Sequence, residues 1–226
     1  MHTRVGWWSE QSILWYERAS SRSDFHERLV DLIVPCLEKN ETIIEAGCGL
    51  GYEAEILKRR GYSIQAYDLS KDVIDAAKRR SQLDIFHCKD FYQLEEKPDT
   101  LLCINFGHMD RQSDLAQMLC HAGRKLVCIV SKHSAHGLET RRDRSDLIES
   151  LVREKGLGYE RKDFSLSFDQ PLKSMEEARS FLDWTYLGDS TESYLEFVEK
   201  TEDKDYPYVF RNKKMMTQFV VYVEYN

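Results

Sequence analysis

A glycine-rich turn between a short apolar strand and a helix constrains this 226-residue chain more than any other feature. Residues 42–45 read as a buried strand, and residues 52–60 predict a helix. Between them, glycines recur at alternate positions, Gly47, Gly49 and Gly51. Glycine lets the backbone turn sharply and come close to a ligand, where a Cβ atom would obstruct. The pattern therefore predicts an α/β fold with a ligand beyond the carboxyl end of this strand.

The alternation of strand and helix continues well beyond this turn. Further strands are predicted at 63–67, 84–88, 100–105 and 125–130, with helices between them. Such alternation is typical of a parallel sheet with helices on both faces. The strand at 100–105 is mostly apolar, as burial on both faces of such a sheet requires.

The pattern changes in the last third of the chain. Residues 159–168 alternate like a strand, helices are predicted at about 174–186 and 191–200, and residues 215–225 form a last strand. We therefore predict a doubly wound, mostly parallel seven-stranded sheet with an antiparallel last strand. The helices of residues 169–213 form an insertion before that strand, and a helical segment precedes the sheet.

Composition narrows the function classes. The net charge is −7, and the basic clusters at residues 78–80 and 141–144 fall on predicted helix surfaces, where solvated charge is the ordinary explanation. Nucleic acid is therefore not a favoured partner, because phosphate binding normally needs a basic surface. No apolar run approaches the roughly 18–20 residues of a membrane span. Six cysteines without a CxxC pair predict free thiols in a reducing compartment, so we expect a cytoplasmic protein.

The segment from Glu45 to Gly51, Glu-Ala-Gly-Cys-Gly-Leu-Gly, resembles the first motif of the class I S-adenosylmethionine-dependent methyltransferases, E/D-x-G-x-G-x-G. The resemblance covers residues 42–130 well and the rest by topology. A dinucleotide-binding domain instead requires G-x-G-x-x-G, and Tyr52 stands where its third glycine belongs. The resemblance implies S-adenosylmethionine as cofactor and Rossmann-like topology.

The resemblance also implies cofactor contacts from the strand ends and from one N-terminal residue: Glu45, Gly47, Cys48, Gly49, Gly51, Asp68, Leu69, Asp90, Phe91, Asn105 and Tyr16. Asp68 would accept hydrogen bonds from the ribose hydroxyls. Asp90 would reach the adenine amino group, or else it is a strand-end turn residue. Glu45 either lies near the methionine amino group or anchors the turn. Tyr16 belongs either to a flap over the cofactor or to a helix that only packs on the core.

The methyl acceptor is less constrained. Methyltransferases acting on bases or glutamine carry N/D-P-P-Y/F after the fourth strand, whereas this chain has only Asn105 of that motif, which disfavours those acceptors. The backbone carbonyls at this corner would hold the cofactor's ammonium group. His108 and His133 follow the fourth and fifth strands and are candidate general bases, or else solvated loop residues. No carboxylate accompanies them with ligand spacing, so no metal is predicted.

The predicted organisation is a single methyltransferase domain over 1–226. It comprises an N-terminal helical flap at 1–40, a cofactor-binding core at 42–168, a lid or recognition insertion at 169–213 and a final strand at 214–226. The insertion's aromatic residues would serve a lid, a core or a subunit interface equally. The expected activity is methyl transfer to an O, N or S atom of a small molecule. The alternatives are a peptide, protein or RNA acceptor, or a sensor that binds S-adenosylmethionine without turnover. Neither the acceptor nor the oligomeric state follows from these residues.

Overall fold

A computed structural model describes residues 8–106, 111–134, 144–186 and 191–223. The helices in this part of the chain are Glu10–Ser20 (α1), Phe25–Ile33 (α2), Tyr52–Arg59 (α3), Lys71–Ser81 (α4), Gln112–His121 (α5), Arg144–Glu154 (α6), Met175–Tyr186 (α7) and Thr191–Leu195 (α8). The strands are Thr42–Ala46 (β1), Ser63–Asp68 (β2), Phe86–Cys88 (β3), Thr100–Ile104 (β4), Lys125–Ser134 (β5), Tyr159–Ser167 (β6), Gln170–Leu172 (β7), Val198–Lys200 (β8), Tyr208–Phe210 (β9) and Lys213–Tyr222 (β10).

The chain divides into two compact units. Within the described residues, the large unit comprises residues 26–106, 111–132, 144–164 and 216–223. The small unit comprises residues 8–25, 133–134, 165–186 and 191–215. The predicted N-terminal segment 1–40 is therefore split between the units after Phe25.

A seven-stranded sheet in the order β3-β2-β1-β4-β5-β10-β6 organises the large unit. Strands β1 to β5 pair in parallel, with Thr42 beside Ser63 and Ile43 beside Thr100. The sheet is mostly parallel with one antiparallel strand, which confirms the predicted fold class. From β1 the chain builds the sheet outward through β2 and β3, and then returns to add β4 and β5 on the other side. That reversal of strand order is where open α/β sheets bind ligands.

The core of the large unit explains why β4 and β5 are so apolar. Leu101 and Cys103 of β4 and Leu126 and Cys128 of β5 are fully buried, together with Met118 of α5. Removing a leucine-sized side chain from water contributes about 1.5–3 kcal/mol. Hydrophobic contacts with the apolar residues of β4 and β5 thus stabilise the packing of helix α5 on the sheet.

The small unit has a different construction. Its sheet is antiparallel, in the order β7-β9-β8, with Phe210 between Gln170 and Val198. Its own aromatic core contains buried side chains from α1, α7, α8 and the sheet: Trp15, Leu172, Ala178, Phe181, Leu182, Tyr194 and Phe210. Because Trp15 belongs to this core, α1 is part of the same folded body as residues 165–186 and 191–215.

Helix α2 ends at Ile33, and a 3-10 turn follows because Pro35 cannot donate a helical hydrogen bond. Two predictions for the insertion are wrong in detail. The helix predicted over 191–200 ends at Leu195, and strand β8 takes its second half. The insertion also contains three short strands that were not predicted.

The six cysteines are all free. Cys48, Cys103 and Cys128 are buried, and burial raises the pKa of Cys128 to about 12. Cys88 and Cys120 are exposed. Among the described helices, none is both long and apolar enough to pass through a bilayer.

Candidate functional site

The turn after β1 requires glycine for two separate reasons. Gly47, Gly49 and Gly51 have φ values of +66°, +52° and +68°, in the left-handed region that other residues rarely adopt. A Cβ atom on Gly47 would also lie 2.0 Å from Cδ2 of Phe106, and one on Gly51 would lie 2.2 Å from Cε1 of Phe86. Backbone conformation and close packing therefore both exclude a side chain at the two ends of this turn.

Asp68, at the end of β2, ties the turn to the neighbouring strand. Its Oδ2 accepts a hydrogen bond from the Gly49 backbone N–H at 2.9 Å, and its Oδ1 accepts one from the Ser70 N–H at 2.8 Å. The Cys48 N–H donates to the Tyr67 carbonyl at 3.0 Å. A carboxylate offers about four acceptor sites. Asp68 can thus hold the turn and still accept hydrogen bonds from the hydroxyl groups of a ligand.

Two buried glutamates lie under the turn. Glu45 is 2% exposed, and burial together with the charge of Glu53 raises its pKa well above the ordinary value. Its Oε2 atom is buried and has no hydrogen-bond partner among the described residues. Glu53 contacts His26, with 2.7 Å between Oε1 and Nδ1. A cation brought to Glu45 would stabilise its ionised form, so the turn suits a ligand with a positive group.

After β3, Asp90 is observed as a strand-end turn residue, and its role toward the adenine stays a prediction. Its Oδ1 accepts the Tyr92 N–H at 3.0 Å, so Asp90 begins a 3-10 turn as a strand-end residue would. Phe91 is only 4% exposed and packs edge-on against Phe106, with ring centroids 5.4 Å apart. Its ring therefore contributes to the core. Leu69, by contrast, is 73% exposed at the end of β2.

Asn105 forms a corner after β4. Its φ is +50°, a conformation in which asparagine is less unfavourable than most residues. Its N–H donates to the Ile129 carbonyl at 2.8 Å, and its Oδ1 accepts from the Ser131 hydroxyl at 2.8 Å. Residues held in sparsely populated backbone regions concentrate at functional sites.

The remaining candidate residues lie outside the described residues or in the small unit. His108 lies outside the described residues, and for His133 only the backbone, within β5, is described. Tyr16 belongs to the small unit and packs against Phe168, with ring centroids 5.1 Å apart. Arg18, on the same helix, donates to Glu177 at 2.9 Å. Their proposed roles toward cofactor or acceptor stay predictions.

One residue that reaches the turn was not predicted from the sequence. The basic cluster at 78–80 was expected to be solvated, but Arg80 donates from Nη2 to the Leu50 carbonyl at 2.8 Å and to Glu55 at 3.0 Å. Arg80 follows buried Ala76 and Ala77 by four and three positions, which places it on the buried face of α4. That spacing is the signal that separates Arg80 from its solvated neighbours.

A family model described as a methyltransferase domain matches residues 15–198 of the chain. The chain therefore belongs to the methyltransferase-domain family. No curated protein shows significant sequence similarity to it.

Solved structures share its fold at low sequence identity. Magnesium protoporphyrin IX methyltransferase from Synechocystis PCC 6803, with bound S-adenosylhomocysteine, is 14% identical with a TM-score of 0.54, covering 95% of this chain and 88% of its own. A protein from Pyrococcus horikoshii assigned as an RNA methyltransferase is 11% identical with a TM-score of 0.54, covering 88% and 83%. Coclaurine N-methyltransferase is 11% identical with a TM-score of 0.52, covering 86% of this chain and 71% of its own.

Family, fold and motif together make this chain an S-adenosylmethionine-dependent methyltransferase of class I, as the sequence predicted. The residues present fit that cofactor. The positive-φ turn admits close approach, Asp68 keeps acceptor capacity, and Glu45 carries a buried oxygen without a partner among the described residues.

Proposed function

We propose that this enzyme transfers the methyl group of S-adenosylmethionine to an O, N or S atom of a small molecule. The observation that carries the acceptor class is a cavity of about 550 Å³ in the small unit, within the roughly 300–1,000 Å³ range of small-molecule sites. Tyr206 and Tyr208 line it together with Arg22, Asp203 and Arg211. Tyrosine side chains beside the ion pairs of Arg22 with Asp203 and of Arg211 with Asp169 suit a compact polar acceptor. The net charge of −7 opposes a polyanionic one.

The cofactor half of the proposal assigns a role to each residue at the turn. Asp68 accepts from the ribose hydroxyls, and Leu69 covers one face of the adenine, with Asp90 and Phe91 at its edge. Glu45 and the carbonyl groups at Asn105 receive the methionine ammonium group. Gly47, Cys48, Gly49 and Gly51 supply the backbone against which the cofactor lies. Bound there, S-adenosylmethionine supplies an activated methyl group, so the protein's task is alignment and, where needed, proton removal.

Titration with S-adenosylhomocysteine, S-adenosylmethionine and NAD tests the cofactor site. We expect the first two to bind and NAD not to bind. The Asp68→Asn variant keeps one carbonyl acceptor but places an amide donor opposite a backbone N–H, so its affinity should fall about 10- to 100-fold. Tight NAD binding without a response to S-adenosylhomocysteine would overturn the assignment.

Methyl transfer to three pools of acceptors tests the acceptor class. With labelled S-adenosylmethionine, we expect label in a metabolite pool and none in peptide or RNA pools. Tyr208→Ala, which empties one side of the cavity, should raise the acceptor KM and leave cofactor affinity unchanged. Label in RNA or peptide instead would establish the alternative acceptors. Binding without turnover on any pool, coupled to the affinity of a partner, would establish a sensor.

We further propose that His108 or His133 removes the acceptor's proton and that residues 169–213 act as a lid. An alanine variant of the base should keep cofactor affinity and lose about 10²–10⁴-fold in turnover, less at high pH for an acceptor that ionises unaided. Unchanged turnover in both variants would leave alignment as the whole mechanism.

If residues 169–213 act as a lid, amide exchange in 169–186 and 191–213 should be faster without acceptor than with it.

A further inference from the structure

A stacked column of three side chains stands beside the glycine turn in the large unit. The guanidinium carbon of Arg80 lies 3.7 Å from the ring centroid of Tyr52. The imidazole of His26 stacks on Tyr52 at 4.4 Å with 10° between the planes. Arg80 comes from the last turn of α4, Tyr52 from the first turn of α3 and His26 from α2, so the column joins three helices at the point where the turn becomes a helix.

Both ends of this column are fixed by hydrogen bonds. His26 Nδ1 contacts Glu53 Oε1 at 2.7 Å, and the two side chains are only 5% and 8% exposed. Arg80 contacts Glu55 from Nε at 3.1 Å and from Nη2 at 3.0 Å. A paired arginine loses little further freedom when it makes one more hydrogen bond, because its planar group is already oriented.

That additional hydrogen bond goes to the turn itself. Arg80 Nη2 donates to the carbonyl of Leu50, a residue that is 2% exposed. The next N–H along the chain, that of Gly51, donates back to the Cys48 carbonyl at 2.9 Å. Arg80 therefore fixes the peptide group between Leu50 and Gly51, which in turn orients the cofactor-facing part of the turn. A buried carbonyl that lost this partner would favour another orientation.

We propose that Arg80, stacked on Tyr52 and paired with Glu55, is a positioning residue for the cofactor: it acts through the Leu50 carbonyl to keep the glycine turn in its binding conformation. The inference rests on the proposed placement of S-adenosylmethionine at this turn. Arg80 does not touch the reacting atoms. Its loss should weaken cofactor binding while the methyl transfer step, once the cofactor is bound, proceeds as before.

Arg80→Met tests this, with Arg59→Met as matched control. Arg59 also pairs with Glu55, at 3.0 Å, but is 59% exposed. We expect Arg80→Met to raise the Kd for S-adenosylhomocysteine and the KM for S-adenosylmethionine by about 10-fold, as loss of one charge-assisted hydrogen bond implies. The kcat at saturating cofactor should change less than twofold, and Arg59→Met should match the unaltered protein in all three. Arg80→Lys, which retains charge and a donor, should recover part of the affinity.

Two further variants separate positioning from general destabilisation. Tyr52→Leu removes the ring that supports Arg80 and should raise the same Kd and KM, whereas Tyr52→Phe keeps the ring and should not. If Arg80→Met proves too unstable to assay, the Arg80→Lys and Tyr52 variants decide the question. Equal Kd values for Arg80→Met and Arg59→Met, or a fall in kcat without a change in Kd, would overturn the inference. An unaltered chain that binds no S-adenosylhomocysteine would instead refute the proposed cofactor site.

Discussion

The two units of this enzyme are stabilised by contacts of different range. In the large unit, strands β1 to β5 pair in parallel, and the glycine turn, Asp68 and Ser70 are close in sequence or on adjacent strands. In the small unit, α1 is joined to residues more than 150 positions away: the indole N–H of Trp15 and the guanidinium of Arg18 both donate to Glu177. A regular sheet can therefore be inferred from local patterns, whereas a body assembled from distant segments cannot.

The largest effect is expected when a methyl group is added to the glycine turn of the large unit. Gly51→Ala forces a Cβ to within 2.2 Å of the fully buried Phe86 ring at a φ of +68°. We expect affinity for S-adenosylhomocysteine to fall at least about 30-fold and the free energy of unfolding to fall by about 2–4 kcal/mol. Titration calorimetry and urea unfolding measure both. Gly158→Ala, whose new methyl group would lie 3.8 Å from Tyr222, is the control and should change neither.

Glu177→Ala is the corresponding test of the small unit. It leaves the Arg18 guanidinium, 12% exposed, and the Trp15 indole without their carboxylate, so we expect a loss of about 2–4 kcal/mol. Amide exchange should quicken in α1 and α7, and the Kd for S-adenosylhomocysteine should stay within twofold. Glu176→Ala, at the exposed neighbouring position, should change neither the free energy of unfolding nor the rate of amide exchange. A cofactor Kd that rises in step with the lost stability would show that cofactor binding also depends on the small unit.

Acid sensitivity gives a smaller effect. Hydrogen bonds from the Tyr159 hydroxyl and the Arg161 guanidinium hold the pKa of Glu149 below its usual range. The stability that this provides is present above the unfolded-state pKa of about 4.3 and is lost as the pH falls through the lower folded-state value. Glu149→Gln should therefore lose about 1 kcal/mol near neutral pH and show a shallower decline in stability on acidification. Glu154→Gln, exposed on the same helix, should follow the unaltered protein at every pH.

The smallest effect is expected at Asn105. Glycine adopts its φ of +50° without strain but gives up the side-chain hydrogen bond with Ser131, and the two changes oppose each other. Asn105→Gly should alter the free energy of unfolding by no more than about 1 kcal/mol. Ser131→Ala removes the hydrogen bond alone, so its free energy of unfolding separates the two contributions. Turnover is measured for both variants. Equal kcat values for Asn105→Gly, Ser131→Ala and the unaltered enzyme would restrict Asn105 to shaping the backbone.

The difference between local and distant contacts also explains what the sequence could predict. Strand β4 was evident because four consecutive residues, Thr100 to Cys103, are buried on a sheet covered on both faces. The turn at Gly47 to Gly51 was evident because its spacing meets a backbone requirement. Strands β7, β8 and β9 have three residues each, too few to show an alternating pattern. Their position depends on pairing across the insertion, which no local window contains.

The residues of the candidate site also differ in whether local sequence could predict them. Asp68 and Glu45 could be predicted because each ends a strand next to the glycine turn. Ser70 stands at the N-cap of α4, yet its contribution is a backbone N–H donated to Asp68, and the cap has no side-chain hydrogen bond. The pairing of His26 with Glu53 joins helices 27 positions apart. A buried glutamate normally requires a partner, but nothing in either segment alone indicates which residue provides it.

The distribution of thiols has a practical consequence for following this enzyme in solution. A maleimide dye reacts with thiolates that solvent can reach, so Cys48, Cys103 and Cys128 should stay unlabelled in the folded state. Cys88 Sγ lies 3.6 Å from the Leu69 carbonyl, at the strand end proposed to meet the adenine. A fluorophore there would report cofactor arrival without any engineered residue, and Cys120 on α5 offers a second position as an internal reference.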